Sequence, residues 1–344
     1  MLRNETVMVK IGNLELGGNE KVYIQSMTNT KTKDILGTIK QIKELEQAGC
    51  DIVRVAVKDM SDAKAIKEIK AEIHIPLVAD IHFDYRLAIE AILNGADKIR
   101  LNPGNIESKE KVLEVVNLCK ERKIPIRIGV NSGSLPKDLE KTKEGMIEAA
   151  KRHIQILEEC DFHDIVLSFK SSDIKLTYET YMLASQTFNY PLHVGLTEAG
   201  SLYSGNIKSS MAIGSILLQG IGNTIRVSLS ASPVEEVRAA KEILKYLGLI
   251  KNEVLVTACP TCGRTEYQMF DLLNKVEEYV KDIHKDIKIA IMGCIVNGPG
   301  EASDKDIAIC GGRNKLLLYK QGKLYKEIKE ENALDELKHL IDEF

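Results

Sequence analysis

No stretch of the 344-residue chain reaches the ~18 consecutive apolar residues that a membrane span needs, and the opening "MLRNETVMVKIGNLELGG" lacks the apolar run of a secretory signal. Both absences point to a cytoplasmic protein with no membrane partner. An excess of charge is missing too. Its 47 Lys and Arg against 50 Asp and Glu leave a formal net charge of −3, which argues against general nucleic-acid binding. Any affinity for anions must then come from local placement of Arg and Lys. The cysteines number seven, an odd count that does not suit a disulfide framework in a reducing compartment. Metal or redox chemistry is the better reading of any cluster they form. What the chain does have is 44% hydrophobic and 28% charged residues, enough to bury a large core in one large domain and one small one.

From Val22 to about Leu247, short β-rich runs alternate with helical patterns. The runs are "VYIQSM", "DIVRVAV", "IPLVADIHF", "DKIRLNPG", "IPIRIGVNSG", "DIVLSFKSS", "PLHVGLTEAG" and "NTIRVSLS". Between them lie amphipathic segments such as "EKVLEVVNLCKERK", whose Lys-rich sides read as solvated faces. Eight strand-helix units of this size predict a (β/α)8 TIM barrel with its site where the strands end; a doubly wound open sheet is the rival topology. Arg54, Arg100, Arg127 and Arg226 each sit in an apolar-Arg-apolar strand pattern. Asp80, His82, Asn102, Asn131, Lys170, His193 and Glu198 follow at or just after strands, so all should converge on one mouth. Any one Arg can be a barrel-interior ion pair with Asp80 or Glu198. Four Arg and one Lys against those two acids nevertheless leave positive charge unpaired, which is costly unless a ligand neutralises it. Planar Arg donors suit phosphate oxygens, so an anionic, phosphate-bearing substrate is expected. His74, His153, His163, His284 and His339 receive no role.

After Gly248 the pattern becomes a smaller α+β unit, so the expected domains are 1–248 and 249–344. It holds strand "EVLVTA", the motif "CPTC", helix "EYQMFDLLNKVEEYVKDIHK", strand "IKIAIMG", a hairpin at "LLLYKQGKLYK" and a last amphipathic helix. Gly298, Pro299 and Gly300 predict a tight turn with Cys294 and Glu301 at its two ends. Cys259 and Cys262 after a strand and opening a helix have three readings: a redox dithiol, a zinc site with Cys310 as fourth ligand, or an iron-sulfur cluster. The pair alone does not decide among them. Cys50, Cys119 and Cys160 read as apolar residues of helices or helix ends, and Cys310 is left unligated.

The pairing of "CPTCGR" with "MGCIVNGPGE" resembles the 4-hydroxy-3-methylbut-2-enyl diphosphate synthase family, in its compact bacterial form. The barrel segments "IQSMTNT", "ADIHF", "IRLNPGN", "IRIGVNSGSL", "SFKSSD", "LTEAGS" and "TIRVSLS" are similar to that family as well, so the likeness spans nearly the whole chain. The resemblance implies a 4Fe-4S cluster on Cys259, Cys262 and Cys294 with Glu301 as fourth ligand, a hard oxygen donor that should yield to an incoming substrate oxygen. It implies a substrate, 2-C-methyl-D-erythritol 2,4-cyclodiphosphate, that is opened, reduced by two electrons and dehydrated to the linear allylic diphosphate. Arg54, Arg100, Arg127 and Lys170 would clamp the diphosphate, helped by Asn131 and the loop of Asn102 and Gly104. Glu198 would be the general acid, with Asp80, His82 and His193 orienting polar groups, and ferredoxin or flavodoxin would supply electrons.

Two other classes stay open at this point: a different barrel enzyme, since "QSMTNT" also resembles dihydropteroate synthase, and a zinc-stabilised adaptor without catalysis. Chain direction adds an expectation about assembly. The eighth barrel helix, "PVEEVRAAKEILKYLG", runs away from the mouth, and the residues around Gly248 to Asn252 are too few to carry the small domain back to it. A head-to-tail homodimer follows, with the cluster of one chain serving the barrel of the other.

Overall fold

Alternation of β-branched runs with amphipathic segments builds a parallel barrel. The computed structural model describes residues 1–344 and divides into two compact units, Met1–Leu249 and Ile250–Phe344. The first begins with a hairpin, β1 (Val9–Ile11) and β2 (Leu14–Leu16). Eight barrel strands follow: β3 (Tyr23–Met27), β4 (Ile52–Ala56), β5 (Leu77–Asp80), β6 (Lys98–Arg100), β7 (Ile126–Asn131), β8 (Ile165–Lys170), β9 (His193–Val194) and β10 (Thr224–Ile225). Their order is β8-β7-β6-β5-β4-β3-β10-β9, all parallel, and a bridge between Leu167 and Leu192 joins the two ends. Every expected barrel strand is present, in a nearly closed ring.

Helices α1 (Ile35–Gln47), α2 (Met60–Glu72), α3 (Tyr85–Leu93), α4 (Lys109–Arg122), α5 (Lys143–Glu158), α6 (Ile174–Thr187), α7 (Leu202–Leu218) and α8 (Pro233–Tyr246) alternate with the strands. Most start where the sequence supplies a cap: Asp34, Asp59, Asp84, Ser108, Thr142, Asp173 and Ser232 each accept a first-turn backbone N–H. The N-terminal hairpin was not foreseen. Its Val9, Ile11 and Leu16 pack with Tyr23, Ile52, Val78 and Val166 at the N-terminal ends of four strands, so it plugs the face opposite the strand ends.

The second unit is a five-stranded sheet: β11 (Val254–Ala258), β12 (Ile287–Met292), β13 (Ile307–Gly312), β14 (Lys315–Lys320) and β15 (Lys323–Ile328), in that spatial order. The first three are parallel and the last two form the expected hairpin. Helices α9 (Met269–Val280) and α11 (Ala333–Glu343) pack Leu272, Val276, Leu337 and Leu340 onto Ile289, Ile307 and Ile309. Strand β13, with Cys310 buried on it, had escaped the pattern reading. The Gly298-Pro299-Gly300 stretch is a correction: it forms a short helix, α10 (Gly298–Ala302), rather than a tight turn, because Pro299 falls in its first turn where no N–H is required. Likewise the Cys259 and Cys262 pair lies on an irregular loop, since α9 starts only at Met269. No helix is long and apolar enough to cross a membrane.

Candidate functional site

Register sets the barrel site. Asp80, Arg100 and Arg127 are direct partners across β5, β6 and β7, and Asn131 lies opposite Lys170 across β7 and β8. A cavity of about 210 Å³ opens among them, lined by Arg54, Asp80, His82, Arg100, Arg127, Asn131, Lys170 and Arg226. Gly129 belongs to the same wall, and a Cβ there would lie 2.9 Å from Arg100 Nε, so the guanidinium needs glycine beside it.

Charge is the site's dominant feature. Asp80 stands 3.7 Å from Arg54, 3.5 Å from Arg100 and 3.9 Å from the His82 ring. Burial alone would raise its carboxyl, yet Arg54, Arg100 and Arg127 together hold it below the usual value. Arg226 is paired by neither Asp80 nor Glu198. Its partner is Glu236 on α8, 3.4 Å away and 5% exposed, which also accepts from Ser26 Oγ and Leu229 N–H. Lys98, another residue the pattern reading missed, is fully buried, with Gln25 Oε1 at 3.5 Å as its partner. Six basic side chains (Arg54, Lys98, Arg100, Arg127, Lys170, Arg226) therefore share the barrel interior with two carboxylates, Asp80 and Glu236. Arg127 is 1% exposed, and its Nε and Nη1 have no partner. Burial and then the neighbouring arginines drive the ammonium of Lys170 well below its ordinary value, and burial with Arg54 does the same to Arg127.

The remaining expected residues fall in different places. Asn102 Nδ2 donates to the Gly129 carbonyl at 3.0 Å and its Oδ1 accepts the Gly129 N–H at 2.9 Å, tying the end of β6 to β7. His193 is fully buried, with Nδ1 2.8 Å from Thr224 Oγ1 and Nε2 without a partner. Burial, then Arg127 and Lys170, press its imidazole well below the usual range, so it is neutral. Glu198 is exposed on the loop after β9, with φ of +54°, a backbone region that side chains other than glycine rarely adopt.

The second candidate site lies at the ends of the parallel strands β11 and β12. Cys259 follows β11 and its Sγ accepts the Gly293 N–H at 3.2 Å; Cys294 is the next residue of that loop. Thr265, three residues after Cys262, donates its N–H to the Cys262 carbonyl, and its side chain packs on Gly293, so both cysteine loops meet there. N–H groups of Val296 and Asn297, then the Arg264 side chain, favour the thiolate of Cys294 and lower its value. Glu301 is exposed on α10. The three thiols and Glu301 do not converge within reach of one metal ion. Sulfur atoms that accept N–H bonds beside a cation are nonetheless the donor chemistry that a thiolate-held cluster requires. Cys310 is different: it lies in the apolar core against Gly298, and burial, then Cys294 and Cys259, push its thiol up to about 12. Cys50 and Cys119 are likewise buried, with thiols pushed up to about 12, whereas Cys160 is half-buried.

Comparison with known proteins places this geometry. The barrel fold is shared with dihydropteroate synthase from Yersinia pestis, at TM-score 0.52 and 14% identity over 70% of this chain and 97% of that one. It is shared also with N-acetylneuraminic acid synthetase from Leptospira borgpetersenii, at TM-score 0.52 and 12% identity over 80% and 98%. At such identities the likeness is one of fold alone. Two full-length relatives are named 4-hydroxy-3-methylbut-2-en-1-yl diphosphate synthase (flavodoxin). The protein from Clostridium perfringens is 55% identical over 99% of both chains, and that from Geobacillus thermodenitrificans is 56% identical over 99% of this chain and 92% of its own. The GcpE TIM-barrel domain matches residues 6–241 and the GcpE protein C-terminal domain matches residues 255–343. The chain belongs to the GcpE family.

Proposed function

We infer that the protein is an oxidoreductase of isoprenoid biosynthesis that converts 2-C-methyl-D-erythritol 2,4-cyclodiphosphate to 4-hydroxy-3-methylbut-2-enyl diphosphate. Two electrons and protons enter, the ring opens, and a hydroxyl leaves as water. The observation that carries the reading is the surplus of buried basic groups: Arg54, Arg100, Arg127, Lys170 and Arg226 line the cavity and Lys98 is buried in the same barrel, against two carboxylates, Asp80 in the lining and Glu236 behind it. A diphosphate supplies the missing negative charge, and the free donors of Arg127 supply bonds for its oxygens.

In this reading Arg54, Arg100, Arg127 and Lys170 hold the diphosphate, with Arg226 and Asn131 completing the wall. Asp80 fixes the Arg54 and Arg100 guanidinium groups, and His82 stands where it can orient a polar group of the substrate. His193 and Asn102 act from beneath the wall rather than in it. Glu198 is the general acid for the departing hydroxyl; its strained backbone marks a side chain held in place against local preference. Cys259, Cys262, Cys294 and Glu301 would hold a 4Fe-4S cluster, which when bound passes electrons to the substrate one at a time. Flavodoxin, the donor in the relatives' names, is the proposed source of those electrons. Helix α8 ends at Tyr246 and β11 starts at Val254, a separation that supports a head-to-tail homodimer in which each barrel uses its partner's cluster.

The test is anaerobic purification followed by iron and acid-labile sulfide analysis, coupled to turnover of the cyclic diphosphate with a two-electron supply. Four irons and four sulfides per chain with formation of the linear diphosphate are expected. A colourless protein that binds zinc, or one that leaves the cyclic diphosphate unchanged, would overturn the reading. The dimer is tested separately, by co-expressing Glu198→Ala and Cys294→Ala chains. Mixed dimers should recover part of the activity that each variant lacks, and their inactivity would mean that each chain closes its own site.

A further inference from the structure

Gly104 sits in the turn after β6, and its N–H donates to Nδ1 of His153 on α5 at 3.1 Å. A Cβ at Gly104 would stand 2.8 Å from Cε1 and 2.9 Å from Nδ1 of that ring, closer than a side chain can approach. Backbone and imidazole are therefore matched, since only glycine lets the turn lie against the ring. From this contact the turn reaches the cation cavity at two points. Asn105 Nδ2 donates to the His82 carbonyl at 3.4 Å. Asn102 holds both the N–H and the C=O of Gly129, and the same C=O accepts from Arg100 Nη2 at 3.2 Å. Burial, then the charge of Arg100, push the His153 imidazole down to about 4. It is thus neutral near pH 7, with the proton on Nε2 and Nδ1 free to accept.

We propose that His153 is a positioning residue for the anion clamp: it accepts the Gly104 N–H, fixes the 103–105 turn against α5, and through Asn102 and Asn105 holds Arg100 and His82 where a diphosphate meets them. His153 itself touches neither substrate nor cluster. The inference rests on the diphosphate reading of the barrel. A neutral hydrogen bond of this kind corresponds to a change of about 3- to 10-fold in an equilibrium constant.

The experiment titrates inorganic pyrophosphate into the full-length holoenzyme by calorimetry and measures KM and kcat for the cyclic diphosphate. His153→Leu should bind pyrophosphate about 3- to 10-fold more weakly and raise KM by the same factor, with kcat and the visible spectrum unchanged. His153→Asn, whose amide oxygen replaces Nδ1 as acceptor, should recover most of that loss. Gly104→Ala should weaken binding in the unaltered background and do less harm when combined with His153→Asn, which removes the ring that the new methyl meets. Equal binding by His153→Leu and the unaltered chain would overturn the proposal. So would His153→Asn performing no better than His153→Leu at matched melting temperature; if His153→Leu does not fold, the Asn variant and the Gly104 combination still decide. Failure of the unaltered chain to bind pyrophosphate would overturn the diphosphate reading, and the inference with it.

Discussion

The barrel interior and the cysteine loops solve opposite problems. In the barrel, charged side chains project from within buried strands, as Arg54 and Arg127 do, or from their ends, as Asp80, Arg100 and Lys170 do, and their positions are fixed by strand register. Burial and mutual repulsion of these basic groups are held in place by the surrounding fold, and in the proposed reading a bound diphosphate relieves them. At the ends of β11 and β12 the reactive groups sit on loops, Cys262 and Glu301 are exposed, and local N–H groups favour the thiolate of Cys294. There the order should come from the group that is bound, as in metal sites whose loops settle on loading. A preformed cluster of basic groups and a loop site should thus respond differently to the loss of one residue.

The largest expected effect is at the loops. Cys294→Ser should abolish the cluster's visible absorption and reduce turnover to background, while the melting temperature of the barrel stays unchanged. Glu301→Ala should retain a cluster, since oxygen is the poorest ligand of the set. Equal loss of iron in both would break the distinction between the ligands. In the barrel, Asp80→Asn leaves Arg54 and Arg100 without their carboxylate and should destabilise the fold by about 3–5 kcal/mol at pH 7. Because the folded state lowers the Asp80 carboxyl, its contribution is complete above the unfolded value of about 4 and fades as pH falls through the folded one. Denaturation at a series of pH values should show the gap between variant and parent closing below about pH 4.

Arg127→Met sharpens the comparison with a smaller effect of two signs. Removing a buried, unpartnered guanidinium should raise the stability of the ligand-free chain by on the order of 1 kcal/mol. It should also weaken substrate binding by about 1.5–3 kcal/mol, the worth of a charged hydrogen bond. A variant that loses both stability and binding would show that Arg127 is structural. Smallest of all, Cys310→Ala should leave iron content intact and lower stability by about 1 kcal/mol, as expected of a buried thiol in an apolar setting. Loss of iron there would make Cys310 a ligand.

The barrel was legible because its strands carry a recurring local code, a β-branched run that holds a polar residue within it or at its end. Arg54, Asp80, Arg100, Arg127 and Lys170 line one cavity for that reason. Lys98 was legible in principle: it precedes Arg100 by two positions, the spacing that places both on one face of a strand, but a single Lys in "DKIRL" reads as a solvated strand start. Glu236 was not legible. It belongs to "PVEE" in the first turn of α8, where acids are ordinary helix starters, and only the tertiary fold brings it to Arg226. His153 was hidden in the same way, as one polar residue on α5 whose partner lies 49 positions earlier. In the second unit, the cysteine spacing was visible but the course of the loops was not, because Gly298, Pro299 and Gly300 permit both a turn and the short helix that forms.

The central claim is that surplus buried positive charge makes the barrel a diphosphate site, and thermal unfolding across a pyrophosphate series tests it most directly. Ligand-linked stabilisation should raise the melting temperature of the unaltered chain, equivalent to about 2.7 kcal/mol at a pyrophosphate concentration 100-fold above Kd. The double variant Arg127→Met/Lys170→Met should begin with a higher melting temperature than the unaltered chain and gain little from pyrophosphate. An unaltered chain whose melting temperature ignores pyrophosphate, or a double variant that gains as much as its parent, would contradict the account.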